Sequence, residues 1–230
     1  MTKKELWEGI RDAFPIVLGY VPLGFAFGIL ASEAGMSVVQ ATAMSILCFT
    51  GAGQYIAIGV MKAGGAVATA VIANILVNMR YFLFATSLVP FFKDNVPGRW
   101  ATLLSYGLTD ETYAVAFNRY KKKPPTTSYM AGLNITSHIG WISSTFVGAL
   151  SGSLIANTDK IGLGFALPAM YTCLLVLVIS KRTELVVALV AAALCLGIGW
   201  VWPASMHNLF NIIIATVVAA TIGVIINGKC

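Results

Sequence analysis

The amino-acid sequence predicts an all-α, polytopic membrane protein with about eight transmembrane helices, and three observations support that fold class. First, 58% of the 230 residues are hydrophobic and only 10% are charged, whereas soluble domains are about 45–50% apolar and about 25% charged. Second, the apolar residues form runs of about 20 residues, which is the length that crosses a bilayer as a helix. Third, the basic residues concentrate in short segments between these runs, as loops beside lipid headgroups do.

The elements follow in order along the chain. Residues 1–12 carry both signs of charge and predict a short cytoplasmic interfacial helix. Apolar runs then predict spans at 13–33, 38–61, 66–92, 100–118, 129–156, 161–180, 183–202 and 207–227. A basic loop at 119–127 separates the fourth and fifth spans, and the whole of 1–230 is predicted to be one integral membrane domain.

Two features suggest that these helices are not all simple rods. The run Thr50-Gly51-Ala52-Gly53 interrupts the second span and could divide it into two half-helices, and 129–156 is long enough to tilt or break. Leu23–Ala26 recurs as Leu163–Ala166 in spans predicted to run in opposite directions. An inverted repeat is therefore one hypothesis, and chance recurrence in a Leu/Gly/Ala-rich chain is the other.

The distribution of Lys and Arg predicts the orientation. With the N-terminus in the cytoplasm, 11 of the 15 basic residues fall in cytoplasmic segments, Lys62 among them. Lys93, Arg99 and Lys160 fall outside, and Arg80 lies within a span. The positive-inside rule then predicts that both termini are cytoplasmic, in a bacterial-type inner membrane.

Several function classes are disfavoured. The net charge of +6 does not indicate nucleic-acid binding, because the basic residues do not form one polar face. Cys48, Cys173 and Cys195 lie inside apolar runs without a C-x-x-C pair, so neither a disulfide framework nor a metal site is predicted. The sequence contains no phosphate-binding G-x-x-x-x-G-K-[ST] loop, and no cofactor is predicted.

Three ionisable residues are predicted at membrane depth: Arg80 in the third span, with Asp110 and Glu111 in the fourth. Each costs about 2.5–3.5 kcal/mol to insert unless it pairs or lines a wet cavity. Because the two spans are antiparallel, one hypothesis is that Arg80 pairs with one acid while the other acid carries a proton. The alternative is a static clamp between helices.

Polar residues on the third span form a second candidate group. Asn74 and Asn78 are four residues apart and share a helix face, while Arg80 is rotated by about 200° from Asn78. They are predicted to bind substrate. The alternative is hydrogen bonding across a helix interface.

The interruption of the second span suggests a third group: Thr50, Gly51, Gly53, Gln54 and Tyr55. A half-helix that begins here would present free N–H groups and the positive end of its dipole, which suits a substrate carboxylate. The alternative is close helix packing through small residues. His138, near the middle of the fifth span, is a candidate proton relay or an interhelical hydrogen-bonding group.

Three segments in this order and spacing resemble the AzlC-type branched-chain amino acid permeases: Thr50–Tyr55, Asn78–Tyr81 and Leu108–Thr112. The resemblance extends over essentially the whole chain. It implies export of valine and related amino acids, and a two-component system with a small AzlD-type membrane protein. The family supplies no residue-level mechanism, so the roles of Arg80, Asp110 and Glu111 come from their chemistry alone.

The leading hypothesis is therefore a secondary transporter, and not an enzyme, that exports branched-chain amino acids in exchange for protons. Its zwitterionic substrate would place a carboxylate near Gly51–Gln54 or Arg80 and an ammonium near Asp110 or Glu111. The alternatives are a structural or regulatory membrane subunit, a channel, and an intramembrane enzyme that uses Asp110 or Glu111.

Overall fold

The computed structural model describes residues 3–93, 95–152, 182–203 and 210–227, and the single positions 165, 168, 169, 172, 175, 176 and 179. These residues contain nine helices and no strand, which confirms the predicted helical fold class. The chain consists of two compact units, the first Met1–Leu167 and the second Pro168–Cys230. The predicted span at 161–180 lies mostly outside the described residues, as does most of the Leu163–Ala166 motif.

The first unit contains seven helices within its described residues. They are α1 (Lys3–Glu33), α2 (Val38–Leu47), α3 (Gly51–Lys62), α4 (Val67–Phe92), α5 (Gly98–Ser105), α6 (Asp110–Tyr120) and α7 (Thr127–Gly152). The predicted interfacial segment at 1–12 is the beginning of α1, which continues without a break into the predicted first span.

Helices α1 and α7 run in the same direction and pack closely through glycines. A Cβ on Gly28 would lie 2.3 Å from the carbonyl oxygen of Thr145, and one on Gly148 would lie 2.1 Å from the carbonyl oxygen of Phe25. Near the other end of the pair, Gly9 meets the backbone of Tyr129 in the same way. Small residues let the two backbones touch, as expected of membrane helices.

The segment predicted as a single second span is a re-entrant hairpin. Its halves α2 and α3 have 10 and 12 residues, which at about 1.5 Å per residue reach only half-way across a bilayer. Lys62 at the end of α3 pairs with Glu33 at the end of α1, with 3.0 Å between Nζ and Oε2. The predicted crossing of 38–61 is therefore wrong: the hairpin enters and leaves by the face at which Glu33 lies.

Helix α4 crosses back to the face where α1 begins, which we call the N-terminal face. Its 26 residues extend about 39 Å. At its end, the Phe92 ring lies 5.6 Å from that of Tyr120. The neighbouring Arg119 binds Glu8 near the start of α1, with 2.6 Å between Nη2 and Oε2.

The segment predicted as a single fourth span is a second re-entrant hairpin. Helix α5 enters from the N-terminal face, residues 106–109 are non-helical, and α6 returns to that face at Arg119. The predicted crossing of 100–118 is therefore also wrong. As a result Lys93 and Arg99 lie on the same face as Glu8, whereas Lys62 lies on the opposite face, which reverses the predicted sides of these three residues relative to the N-terminus.

The two crossing helices with their hairpins form an inverted repeat with a constant offset. Helix α1 ends at Glu33 and α4 at Phe92, while α3 begins at Gly51 and α6 at Asp110, so each pair is separated by 59 residues. The hypothesis of an inverted repeat thus has a structural counterpart within 3–120, in a different place from the motif that suggested it.

The second unit contains two described helices, α8 (Arg182–Val201) and α9 (Phe210–Asn227). They run antiparallel, since Gly223 packs against Val187 and the Asn211 side chain donates to Cys195 Sγ over 3.4 Å. They match the predicted spans at 183–202 and 207–227. Of the helices in the described residues, α1, α4 and α8 are long and apolar enough to cross a membrane by length and composition.

Candidate functional site

The tips of the two hairpins meet at mid-depth in the first unit. The first tip, Cys48–Thr50, separates α2 from α3, and the second tip, Tyr106–Thr109, separates α5 from α6. The Tyr106 hydroxyl donates to the carbonyl oxygen of Ile46, which joins one tip to the other. Each tip ends in a threonine that caps the following half-helix.

At the first tip, polar side chains of α4 hold the backbone break. Thr50 Oγ1 accepts weakly from the Gly53 N–H at 3.4 Å and donates to Asn78 Oδ1 at 2.7 Å. Asn74 Nδ2 donates to the Gly53 carbonyl at 3.0 Å. A Cβ on Gly53 would lie 2.0 Å from Asn74 Oδ1, so only glycine fits without moving Asn74. The structure thus brings together four predicted residues: Thr50, Gly53, Asn74 and Asn78.

The other predicted residues of this segment, Gly51, Gln54 and Tyr55, contact the neighbouring helices α1, α2 and α7. Gln54 is 1% exposed; its amide donates to Ser45 Oγ at 2.9 Å and accepts from Trp141 Nε1 at 2.8 Å. The Tyr55 hydroxyl donates to the Leu23 carbonyl at 2.8 Å. The Trp141 ring covers Gly51. These contacts hold α3 against α1, α2 and α7.

At the second tip the side chains are charged. The Arg80 guanidinium lies 3.0 Å from Asp110 Oδ2, so the predicted pairing of Arg80 with one of the two acids is confirmed. The Tyr20 hydroxyl lies 2.7 Å from both Glu111 Oε2 and Thr109 Oγ1. Glu111 therefore has a neutral partner rather than a cation.

The rotation between Asn78 and Arg80 places α4 between the tips. Asn78 reaches the first tip, while Arg80, two residues further on, reaches the second. Tyr81 lies beside both, with its ring centroid 5.2 Å from Arg80 Cζ. The predicted residues thus form one continuous polar band, which is neutral at the first tip and charged at the second.

His138 of α7 also lies at the tips. Its Nε2 is 3.0 Å from the Ser45 carbonyl oxygen, and because a carbonyl only accepts, Nε2 carries the hydrogen. The imidazole stacks on Phe49 at 4.3 Å and meets the Tyr106 ring edge at 5.7 Å. This geometry matches the interhelical hydrogen bond that was the alternative to a proton relay.

A cavity of about 620 Å³ lies between the first tip, the second tip and α4. Its polar wall includes Thr50, Asn74, Asn78 and Tyr81, while its apolar wall includes Met44, Leu47, Val71, Ile75 and Leu108. Small-molecule sites are typically about 300–1,000 Å³, mostly apolar, with a few fixed polar groups. The cavity can therefore hold a small amphipathic solute beside the N-terminus of α3.

Comparison with known proteins finds a family match over the part of the chain that contains the two hairpins. Residues 15–155 match the family described as AzlC protein, a segment longer than half of the 230 residues. The chain belongs to the AzlC family. The matched segment contains both hairpins.

Curated relatives are membrane and transport proteins. The chain is 30% identical to Inner membrane protein YgaZ of Escherichia coli over 192 residues, which cover 80% of this chain and 78% of the relative. It is 32% identical to a membrane protein of Helicobacter pylori, over 78% of this chain and 80% of the relative. It is 24% identical to Branched-chain amino acid transport protein AzlC of Bacillus subtilis, over 74% of this chain and 67% of the relative. No solved structure matches.

Sequence reasoning missed several residues that shape the site in this AzlC-family chain. Tyr20 holds the second tip, Trp141 and Ser45 hold Gln54, and Asn134 Nδ2 donates to the Leu104 carbonyl at the end of α5 over 2.7 Å. A signal existed for Asn134, an amide inside an apolar run. Tyrosine and tryptophan carry no such signal, because they are common at membrane interfaces.

Proposed function

We propose that this AzlC-family protein is a secondary transporter that exports branched-chain amino acids in exchange for protons, together with a small AzlD-type membrane partner. The observation that carries the proposal is the cavity of about 620 Å³ between two helix breaks, which is lined by polar side chains of α4 and the first tip and by apolar side chains of α2, α4 and the second tip. The named function of the Bacillus subtilis relative, branched-chain amino acid transport, supports the substrate class.

The cavity offers complementary groups for a zwitterion with an apolar side chain. The substrate carboxylate would lie at the positive end of α3, beside Thr50 and Asn78. The ammonium would face the Tyr81 side, toward the carboxylate of Asp110. The branched side chain would pack on Leu47 and Ile75, and its burial supplies about 0.8 kcal/mol for each buried methylene.

For the proton step we propose Glu111 rather than Asp110. Asp110 pairs with Arg80 at 3.0 Å, so protonating Asp110 would break an ion pair at membrane depth. The partner of Glu111 is the Tyr20 hydroxyl, which can also pair with Thr109. When Glu111 takes up a proton, Tyr20 can rotate its hydrogen toward Thr109 and accept from the new carboxyl O–H. The pair thus accommodates both states.

Basic residues support a cytoplasmic N-terminal face. Within 3–152 the N-terminal face carries nine basic residues and the opposite face carries Lys62 alone, with Arg80 at mid-depth between them. The nine are Lys3, Lys4, Arg11, Lys93, Arg99, Arg119, Lys121, Lys122 and Lys123. This asymmetry is stronger than the one that the single-crossing topology gives for the same residues.

Flux in proteoliposomes tests the proposal. The chain is reconstituted with and without its small partner, and labelled leucine and valine are followed under an imposed pH gradient. Glu111→Gln should abolish the acceleration by the gradient while leaving exchange of leucine for leucine. Ser87→Ala, which removes a hydroxyl from α4 away from the tips, should behave as wild type. The proposal fails if neither leucine nor valine moves with the partner present, or if Glu111→Gln leaves the gradient dependence intact.

A further inference from the structure

A second cavity, of about 330 Å³, lies on the N-terminal face of the first unit. Its wall is formed by the last turns of α4, by α5 with Leu108 and by Met130 of α7, and Lys93 lies at its outer end. The cavity is lined mainly by apolar side chains. It lies on the side of the second tip away from the first cavity.

One face of α4 lines both cavities from end to end. The lining residues recur every three or four positions: Ala70, Asn74, Asn78, Tyr81, Ala85, Leu88 and Phe92. Residues with this spacing form a single stripe along a helix. The stripe is polar only at mid-depth, where Asn74, Asn78 and Tyr81 face the hairpin tips. This stripe of α4 therefore extends from the N-terminal face to the first cavity.

The barrier between the cavities is short. Among the described residues, Ser105 and Leu108 line both. Ser105 is the last residue of α5, and its hydroxyl turns back to the Thr102 carbonyl at 2.7 Å. Leu108 lies in the non-helical tip and is only 5% exposed. The side chain between the two cavities is therefore carried by a turn rather than by a regular α-helix: the N–H groups of Gly107 and Leu108 donate to the carbonyls of Leu104 and Ser105, both over 3.1 Å.

We propose that the two cavities are halves of one translocation path along α4, and that Leu108 is the apolar gate between them. The inference rests on the proposed transport function and assigns its path and its gate. A displacement of the α5–α6 tip that withdraws Leu108 connects the substrate cavity to the N-terminal face. In the arrangement described here, Leu108 closes that connection.

Thiol labelling tests the path without requiring transport. In a chain whose other cysteines are replaced by serine, the native Cys48 reports the first cavity and Ala101→Cys reports the second. Lys62→Cys and Lys122→Cys mark the two faces. A membrane-impermeant maleimide should modify Cys48 only from the side that modifies Lys62→Cys, and Ala101→Cys only from the side that modifies Lys122→Cys.

The gate is tested with Leu108→Ala, which should raise labelling of Cys48 from the N-terminal face by about tenfold or more. Leu104→Ala is the matched control, because Leu104 is a similarly buried neighbour that lines neither cavity. Leu108→Val, a smaller truncation, should give an intermediate rate and serves if the alanine variant does not fold. Equal labelling of wild-type Cys48 from both faces, or an unchanged rate in both Leu108 variants, overturns the proposal.

Flux separates this proposal from the transport function. If the labelling pattern holds and wild-type protein moves neither leucine nor valine, the path stands and the substrate assignment fails. If leucine flux is present and Leu108→Ala alters neither flux nor labelling, the transport function stands and the gate is overturned.

Discussion

The tip of the α2–α3 hairpin is held by neutral hydrogen bonds, whereas the tip of the α5–α6 hairpin is held by charged groups. At the first tip, Thr50 bonds to Asn78 and Asn74 bonds to the Gly53 carbonyl. At the second, Arg80 pairs with Asp110 and Tyr20 bonds to Glu111. The same architecture therefore presents a neutral helix N-terminus on one side and a charged one on the other.

The neutral tip and the charged tip occupy equivalent positions in the inverted repeat. In each repeat the capping threonine of the hairpin is held by the crossing helix of the other repeat: Thr50 by Asn78 of α4, and Thr109 by Tyr20 of α1. Applying the 59-residue offset to Asn78 gives position 19, next to Tyr20. The scaffold is thus shared, while neutral groups hold one tip and charged groups hold the other; our proposal assigns substrate binding to the first tip and proton transfer to the second.

The largest effect is expected at the charged tip. Asp110→Asn removes the carboxylate that lies 3.0 Å from Arg80 and should lower the free energy of unfolding by about 2–3 kcal/mol, below the full cost of a buried pair because both groups are partly exposed. Leucine flux should fall by at least about tenfold. Thermal unfolding in detergent and flux in proteoliposomes measure the two effects.

Asp110→Glu, which keeps the charge, should retain most of the stability. The double variant Arg80→Gln with Asp110→Asn should lose less stability than the sum of the losses in the two single variants, because residues of one ion pair do not contribute additively. Additive losses in the double variant would show that the ion pair does not hold this tip.

A smaller effect is expected at the neutral tip. Gly53→Ala places a Cβ 2.0 Å from Asn74 Oδ1, so Asn74 must release the Gly53 carbonyl. We expect a loss of about 1–2 kcal/mol and a raised leucine KM. Gly59→Ala on the same helix meets no atom within 4 Å and should stabilise by about 0.5–1 kcal/mol. Equal behaviour of the two variants would contradict the role of this contact.

Tyr20→Phe tests whether the pH dependence of flux depends on the second tip. It removes the hydroxyl shared by Thr109 and Glu111 and keeps the aromatic contacts with Phe49 and Trp141. Stability should fall by about 1 kcal/mol, and the pH dependence of flux should change. Asn78→Leu, at the neutral tip, should change the substrate KM and leave the pH profile in place. Identical pH profiles for wild type and Tyr20→Phe would remove the second tip from proton transfer.

The smallest effect is expected at the base of the second hairpin, where Glu8 binds the part-buried Arg119 and the exposed Lys123. Arg119 and Lys123 hold the pKa of Glu8 below its ordinary value. A lowered folded-state pKa stabilises the protein above the unfolded value, and this contribution disappears as pH falls through the folded value.

The difference in unfolding temperature between wild type and Glu8→Gln should therefore be constant from pH 8 to about pH 5 and shrink below about pH 4.3, the ordinary pKa of glutamate. Thermal unfolding across that range measures it. If the difference in unfolding temperature grows as the pH falls, the ion pair does not lower the pKa of Glu8 in the folded protein.

The sequence predicted the helical membrane class and the break at Thr50–Gly53, because apolar length and glycine content report them directly. It did not predict re-entry. A 24-residue apolar run such as 38–61 is compatible with either one crossing or two half-helices, because its transfer into the hydrocarbon core depends on its composition and not on the path of its backbone. The deciding observation is the pairing of Glu33 with Lys62, a contact between segments that sequence alone does not bring together.

The second break was missed for a different reason. Residues 106–109 contain only one glycine, and their capping box uses Thr112 with Thr109 instead of the glutamate or glutamine that usually marks a helix start. The pairing of Arg80 with a carboxylate was predictable, because charges at membrane depth require partners. The choice of Asp110, with Glu111 turned to Tyr20, depends on the direction of each side chain at the start of α6.

The two hairpins enter from opposite faces of the first unit, and the accessibility of Lys62→Cys and Lys93→Cys tests this arrangement most directly. Each is placed in a cysteine-free chain, with Lys122→Cys as the reference for the N-terminal face. An impermeant maleimide should modify Lys93→Cys and Lys122→Cys from one side and Lys62→Cys from the other. If Lys62→Cys reacts with Lys122→Cys while Lys93→Cys reacts from the opposite side, each hairpin is a single crossing and the account is contradicted.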